Sequence, residues 1–103
     1  KLPESLFGSG AFYILRARGD SMEDAGIHEK DLVVIQKQET AKVGDIVVAL
    51  IGDNENTLKR FGGLDEEGYA ILEYQNEEAY PEKIIRVRDL IVQGVAKHVI
   101  RSL

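Results

Sequence analysis

A chain of 103 residues, 44% hydrophobic and 30% charged, has the size and make-up of one globular domain with a modest core. It contains no cysteine, which removes disulfides, thiol nucleophiles and thiolate metal sites. Its formal net charge of -5 argues against this segment gripping nucleic acid by itself. No apolar run approaches the roughly 20 residues that span a bilayer, and no signal pattern opens the chain, so a cytoplasmic protein without a membrane anchor is expected.

The chain begins at Lys1 and its only methionine is Met22, so a fragment is expected, with an N-terminal part that once preceded it. Residues 1 to 10 carry Pro3, Gly8 and Gly10 and read as an irregular lead-in. Residues 11 to 103 read as the domain proper. Phe12 to Arg16 alternates as a strand, with Phe12 and Ile14 on one side and Tyr13 and Leu15 on the other. After it, Gly19 and Asp20 are turn formers, and Ser21 to Ala25 can make about one helical turn before Gly26 stops it. Ser21 at that junction has two readings. It can cap the turn, which local chemistry favours, or it can be a nucleophile beside unpaired backbone N–H groups.

Leu32-Val33-Val34-Ile35 is a β-branched run typical of a buried strand. A turn through Gly44-Asp45 leads to Ile46 to Ile51, the best core candidate. Gly52 to Asn56 reads as a hairpin turn into Thr57 to Phe61, where alternation puts Thr57, Lys59 and Phe61 on one face. Gly62 to Gly68 reads as a second hairpin loop and Tyr69 to Tyr74 as its returning strand. Gln75 to Glu82, with Glu77, Glu78 and Tyr80, reads as a solvated acidic connection. Ile84 to Val87 and Ile91 to Ile100 complete the pattern, the last broken by Gly94 at a bulge or bend. Seven short strands with turn chemistry between them predict a mostly β domain of antiparallel strands with one short helical turn.

Gly19-Asp20-Ser21-Met22 with Ala25-Gly26-Ile27, then Asp31-Leu32-Val33-Val34, Gly44 to Ala49, Thr57-Leu58-Lys59-Arg60, and finally Gln93-Gly94-Val95-Ala96 with Val99-Ile100-Arg101 together resemble one family. It is the catalytic domain of LexA-type repressors and their relatives, the UmuD proteins and phage CI-type repressors, with a LexA/signal-peptidase-like fold. The similarity runs in order from about Phe12 to Arg101. Two positions depart from it. Lys30 stands where relatives often carry glycine, and Tyr74 where they often carry proline, two residues before the asparagine matched by Asn76; both departures are expected to lie away from the chemistry.

The resemblance implies a serine–lysine peptidase that cuts its own chain at an upstream Ala-Gly bond, in a loop that residues 1 to 11 do not contain. It makes Ser21 the nucleophile and Lys59 the general base. The amides of Ser21 and Asp20 become candidate oxyanion donors, and Met22 and Thr57 supporting residues. The implied partners are a second copy through the C-terminal strand, the RecA filament on single-stranded DNA, the protein's own cleavage loop, and operator DNA through a preceding helix-turn-helix domain. No cofactor is implied. His28 and His98 lack neighbours at metal-ligand spacing, so no metal is expected either.

The chemistry sets a demand. A lysine base acts only when neutral, and at a reference pKa near 10.4 about one lysine in 2,500 is neutral at pH 7. Desolvation can lower that value by ~3 units, equivalent to about 4 kcal/mol, which requires a dry site. Thr57, two residues away on the same face, can hold the amine toward Ser21. The plain alternative for Lys59 is a solvated strand lysine beside Arg60. Rival functions are a UmuD-like polymerase accessory protein and a non-catalytic dimerisation module.

Overall fold

The apolar, β-branched runs dictate the architecture, because each can bury one or both faces only by pairing along its backbone. The computed structural model describes residues 11–51 and 55–101. The strands are β1 (Phe12–Arg16), β2 (Leu32–Gln36), β3 (Ile46–Ile51), β4 (Glu55–Leu64), β5 (Ala70–Glu73), β6 (Ile84–Val87) and β7 (Ile91–Ile100), with one 3₁₀ turn over Glu23–Ala25. They form one sheet in the order β1-β2-β7-β3-β4-β5-β6, and every pairing is antiparallel. The mostly β expectation with a single helical turn is met. The lead-in over residues 1 to 10 and the tip of the first hairpin lie outside the described residues.

Two features qualify the sequence reading. Gly62 and Gly63 are not loop: β4 runs on to Leu64, and the register against β5 shifts between Phe61 and Leu64. Gly63 takes φ +94 there, a bulge conformation that glycine tolerates without a Cβ penalty. The true turn is Asp65 to Gly68, where Asp65 Oδ1 accepts the N–H groups of Glu67 and Tyr69, both at 2.9 Å. The second feature is β7, the strand expected to meet a second copy, which is open only along the half-lengths that pair on one side. It lies between β2 and β3, pairing through Ile91 to Val95 with β3 and through Val95 to Ile100 with β2.

The bend expected near Gly94 is present. Opposite β3 the register shifts so that Gln93 is the extra residue, and opposite β2 Lys97 is. Strand alternation then splits the core in two. Val48 joins Met22, Ile27, Val33 and Ile35 on one side of the sheet, while Val47 and Ala49 join Leu72, Val87 and Val95 on the other. Removing each such aliphatic side chain from water contributes about 1.5–3 kcal/mol. The first cluster matters most for function, because two of its members, Met22 and Ile27, belong to the serine loop.

Candidate active site

The serine loop is closed at its base by two backbone hydrogen bonds, Ala17 N–H to Asp31 O and Lys30 N–H to Ala17 O, both 2.8 Å. Gly19 turns the chain with φ +79, and Gly26 ends the 3₁₀ turn with φ +85, its N–H donating to Glu23 O at 2.9 Å. Lys30 also lies in the left-handed region, at φ +74, which gives a backbone reason for glycine at this point in relatives. Met22 and Ile27 are 3% and 4% exposed, so they peg the loop into the core from below. Ser21 sits beside the first peg. It does not cap the turn: Met22 holds the cap position, and no side-chain capping bond forms. Among the described residues the Ser21 hydroxyl makes no hydrogen bond.

From the other side the loop is held by the connection after β5, which the sequence reading took for a solvated acidic loop. The carboxylates of Glu77 and Glu78 do face water, but the rest of the segment is a brace. Gln75 N–H donates to Ser21 O at 2.7 Å, and Asp24 N–H donates to Gln75 O at 2.6 Å. Asn76 Nδ2 donates to Asp20 O at 2.9 Å, and the Tyr80 hydroxyl donates to Asp20 Oδ1 at 2.8 Å. That bond to Asp20 pushes the Tyr80 hydroxyl above its ordinary pKa. Glu77 N–H completes the brace on Asp24 Oδ2 at 3.2 Å.

Lys59 projects from β4, between β3 and β5, and is 7% exposed. The solvated-lysine alternative is thereby excluded. Its Nζ donates to Thr57 Oγ1 at 2.6 Å and to Leu58 O at 3.3 Å, and lies 5.2 Å from the ring centroid of Tyr74. Tyr74 in turn stacks on Tyr80, with centroids 4.4 Å apart and planes 8° from parallel. Tyr74 is therefore not remote from the candidate site, contrary to the sequence expectation. Arg60, the next residue, turns to the opposite face and pairs with Glu73.

These elements enclose a cleft of about 120 Å³. Ser21, Met22 and Ile27 line one wall, Thr57, Leu58 and Lys59 the other, and Leu15 and Ala17 add apolar surface. Ser21, Met22, Thr57 and Lys59, scattered in sequence, thus share one small cavity. A hydrogen bond between the Ser21 hydroxyl and Lys59 is not among the contacts formed, since the amine is turned onto Thr57 and Leu58. Asp20 does not line the cleft; its carboxylate faces Tyr80. No backbone carbonyl among the described residues takes the N–H of Asp20 or Ser21, which leaves both available to a ligand.

The far end of the loop is tied to the end of β7. Arg101 donates to both carboxylate oxygens of Asp31, at 3.0 and 2.7 Å, and to Gly26 O at 2.9 Å. With the His28 N–H also on Asp31 Oδ2 at 2.8 Å, the Arg101 contact first and the His28 bond second hold the Asp31 carboxyl down at about 2. Among the described residues no cluster of side chains could hold a metal ion, and no helix is long and apolar enough to cross a membrane. The roles of Asn76, Tyr80 and Arg101 escaped the sequence reading. Asn76 and Arg101 carried a signal, as residues matched in relatives, but no role; the pairing of Arg101 with Asp31 and of Tyr80 with Asp20 depends on folding.

Comparison with known proteins agrees with this architecture. The family model described as Peptidase S24-like matches residues 1–97. LexA repressors of two Cereibacter sphaeroides strains are each 46% identical over 90 residues, covering 84% of this chain and 39% of the relative. The chain therefore spans well under half the length of these relatives. With a mostly antiparallel β fold, a serine loop pegged by Met22 and Ile27, and a family match over nearly all its residues, the chain belongs to the peptidase S24-like family.

Proposed function

We propose that this chain is the self-cleaving peptidase domain of a LexA-like repressor, with Ser21 as nucleophile and Lys59 as general base. The observation that carries the reading is the shared cleft: a free serine hydroxyl on one wall and a nearly water-excluded lysine amine on the other. Serine attacks a peptide carbonyl only with a base in reach, and neither histidine lines this cleft. Neutral Lys59 takes the Ser21 proton as Oγ bonds to the carbonyl carbon. It then delivers that proton to the leaving amine as the C–N bond breaks, and water later releases the acyl group. The narrow cleft suits the small side chains of an Ala-Gly bond, and tethering supplies the effective concentration that such a site needs.

The resting contacts of Lys59 give this reaction a natural switch. The amine rests on Thr57 and Leu58, and docking of the upstream loop beside Ser21 turns it toward the serine. In the family's logic, the RecA filament on single-stranded DNA promotes docking. Cleavage then separates a helix-turn-helix operator-binding part from this domain and releases the DNA-damage (SOS) genes. A homodimer is supported by β7, because Ala96 to Ile100 pairs with β2 alone. Val99 and Ile100 are exposed there, so a second copy can cover that edge.

The experiment is self-cleavage of the full-length chain with Ser21→Ala and Lys59→Ala. Both variants are expected to stay intact while the parent is cut. Cleavage of either at the parental rate refutes the assignment.

A further inference from the structure

The peptide group joining Asp20 to Ser21 is held by its oxygen. Asn76 Nδ2 donates to the Asp20 carbonyl at 2.9 Å, closer than the Glu23 N–H that the same oxygen accepts at 3.3 Å within the turn, and the Asn76 side chain is itself fixed, since its Oδ1 accepts the Ala79 N–H at 3.3 Å. That second bond settles which end of the carboxamide faces Asp20: the nitrogen. Asn76 is 9% exposed, so water competes little for either contact. The next carbonyl, that of Ser21, is held by Gln75 N–H at 2.7 Å. Two successive peptide oxygens of the serine turn are therefore gripped from one side by consecutive residues of the brace.

A trans peptide is planar, with its N–H directed opposite to its C=O, and every peptide described here is trans. Gripping the Asp20 oxygen consequently aims the Ser21 N–H away from Asn76. Asn76 does not line the cleft, whereas Ser21 does, and no backbone carbonyl takes that N–H among the described residues. We propose that Asn76 is a positioning residue: its carboxamide fixes the Asp20–Ser21 peptide plane so that the Ser21 N–H is held toward the cleft as an oxyanion donor. Tyr80 steadies the same residue through the Asp20 carboxylate. The inference rests on the serine–lysine reading above and concerns a group that never touches the substrate. Oxyanion donors act by being aligned before charge develops on the substrate oxygen, so a donor free to swing loses most of its effect.

The test is self-cleavage of the full-length chain carrying Asn76→Ala, Asn76→Asp or Tyr80→Phe, with the rate corrected for the folded fraction measured by thermal melting in the same buffer. Loss of a whole oxyanion donor costs roughly 100- to 1,000-fold in rate. In Asn76→Ala the Asp20 oxygen keeps only the longer Glu23 bond, so the donor is loosened rather than lost and the rate is expected to fall by about 10-fold, short of that range. Asn76→Asp keeps the shape and the Ala79 acceptor but puts oxygen against oxygen, and should fall at least as far. Tyr80→Phe keeps the stack on Tyr74 and should lose only a few-fold. In Asn76→Ala and Tyr80→Phe, which add no charge, the pH midpoint of the rate should stay where the parent has it, because Lys59 is untouched. Modification of Ser21 by a fluorophosphonate, whose phosphoryl oxygen needs the same donor, should slow in parallel. A parental rate per folded molecule in both Asn76 variants overturns the inference, as does a slow rate accompanied by a moved pH midpoint in Asn76→Ala. If Ser21→Ala is still cut, it is the underlying peptidase reading that fails instead.

Discussion

Gly94→Ala adds a single methyl group at the point where β7 passes between β2 and β3. A Cβ built there would lie 2.3 Å from Ile35 Cγ2 and 2.8 Å from the Gln36 carbonyl oxygen, against about 3.5–4.0 Å for relaxed carbon contacts. Neither neighbour can yield cheaply. Ile35 is 0% exposed within the cluster that holds Met22 and Ile27, and the oxygen belongs to the backbone. Overpacking of a close-packed core costs about 1–3 kcal/mol, and this contact belongs at the upper end. Alanine recovers about 0.5–1 kcal/mol through the unfolded chain relative to glycine, which leaves a net loss of about 2 kcal/mol. For a domain near 100 residues that lowers the melting temperature by roughly 8–16 °C. The assay is thermal unfolding followed by circular dichroism. A double-mutant cycle with Ile35→Ala adds a second check, because removing Cγ2 should make the pair less damaging than the sum of the singles. A Gly94→Ala melt within about 2 °C of the parent would refute the reasoning.

Thr57→Val keeps the volume beside Lys59 and removes the oxygen on which its amine rests at 2.6 Å; with a resting bond of about 1–2 kcal/mol no longer to be broken before the amine turns to Ser21, self-cleavage should be faster by roughly 5- to 30-fold, read as the first-order rate of the full-length chain. Lys30→Gly relieves a side chain at φ +74 and should raise stability by up to about 1 kcal/mol, while Lys30→Val, β-branched at the same angle, should lower it; urea midpoints decide. The Asp31 carboxyl is held at about 2 against 3.8 for a free aspartate, so its contribution is complete above pH ~4 and drains away as acid approaches pH ~2. Urea unfolding across that window should show the parent losing stability with falling pH more steeply than Asp31→Asn.

Every strand was legible because the apolar runs are short, β-branched and separated by turn residues, and Gly26 stops its turn where a left-handed residue is needed. Glycine misled at Gly62 and Gly63, where the same permissiveness that suits a loop lets β4 bulge and continue. The order of the sheet was not legible, since insertion of β7 between β2 and β3 is a long-range choice that alternation leaves open. The candidate site was readable only at its chemical residues. Ser21 and Lys59 stand out through the family resemblance, which marks Asn76 and Tyr74 without giving either a role, whereas Tyr80 looked like any polar connection until the chain folded that segment back onto Asp20. Their role is geometric, and geometry at that separation leaves no periodic trace.

The most direct measurement follows one amine and one rate together. With the full-length chain labelled at the lysine Cε carbons, the NMR titration of Lys59 and the rate of self-cleavage are recorded across the same pH series. The rate should rise as the Lys59 resonance shifts to its neutral position, both should level off together, and Ser21→Ala should keep the titration while abolishing the cut. Cleavage that reaches its plateau while Lys59 still carries its proton would contradict it.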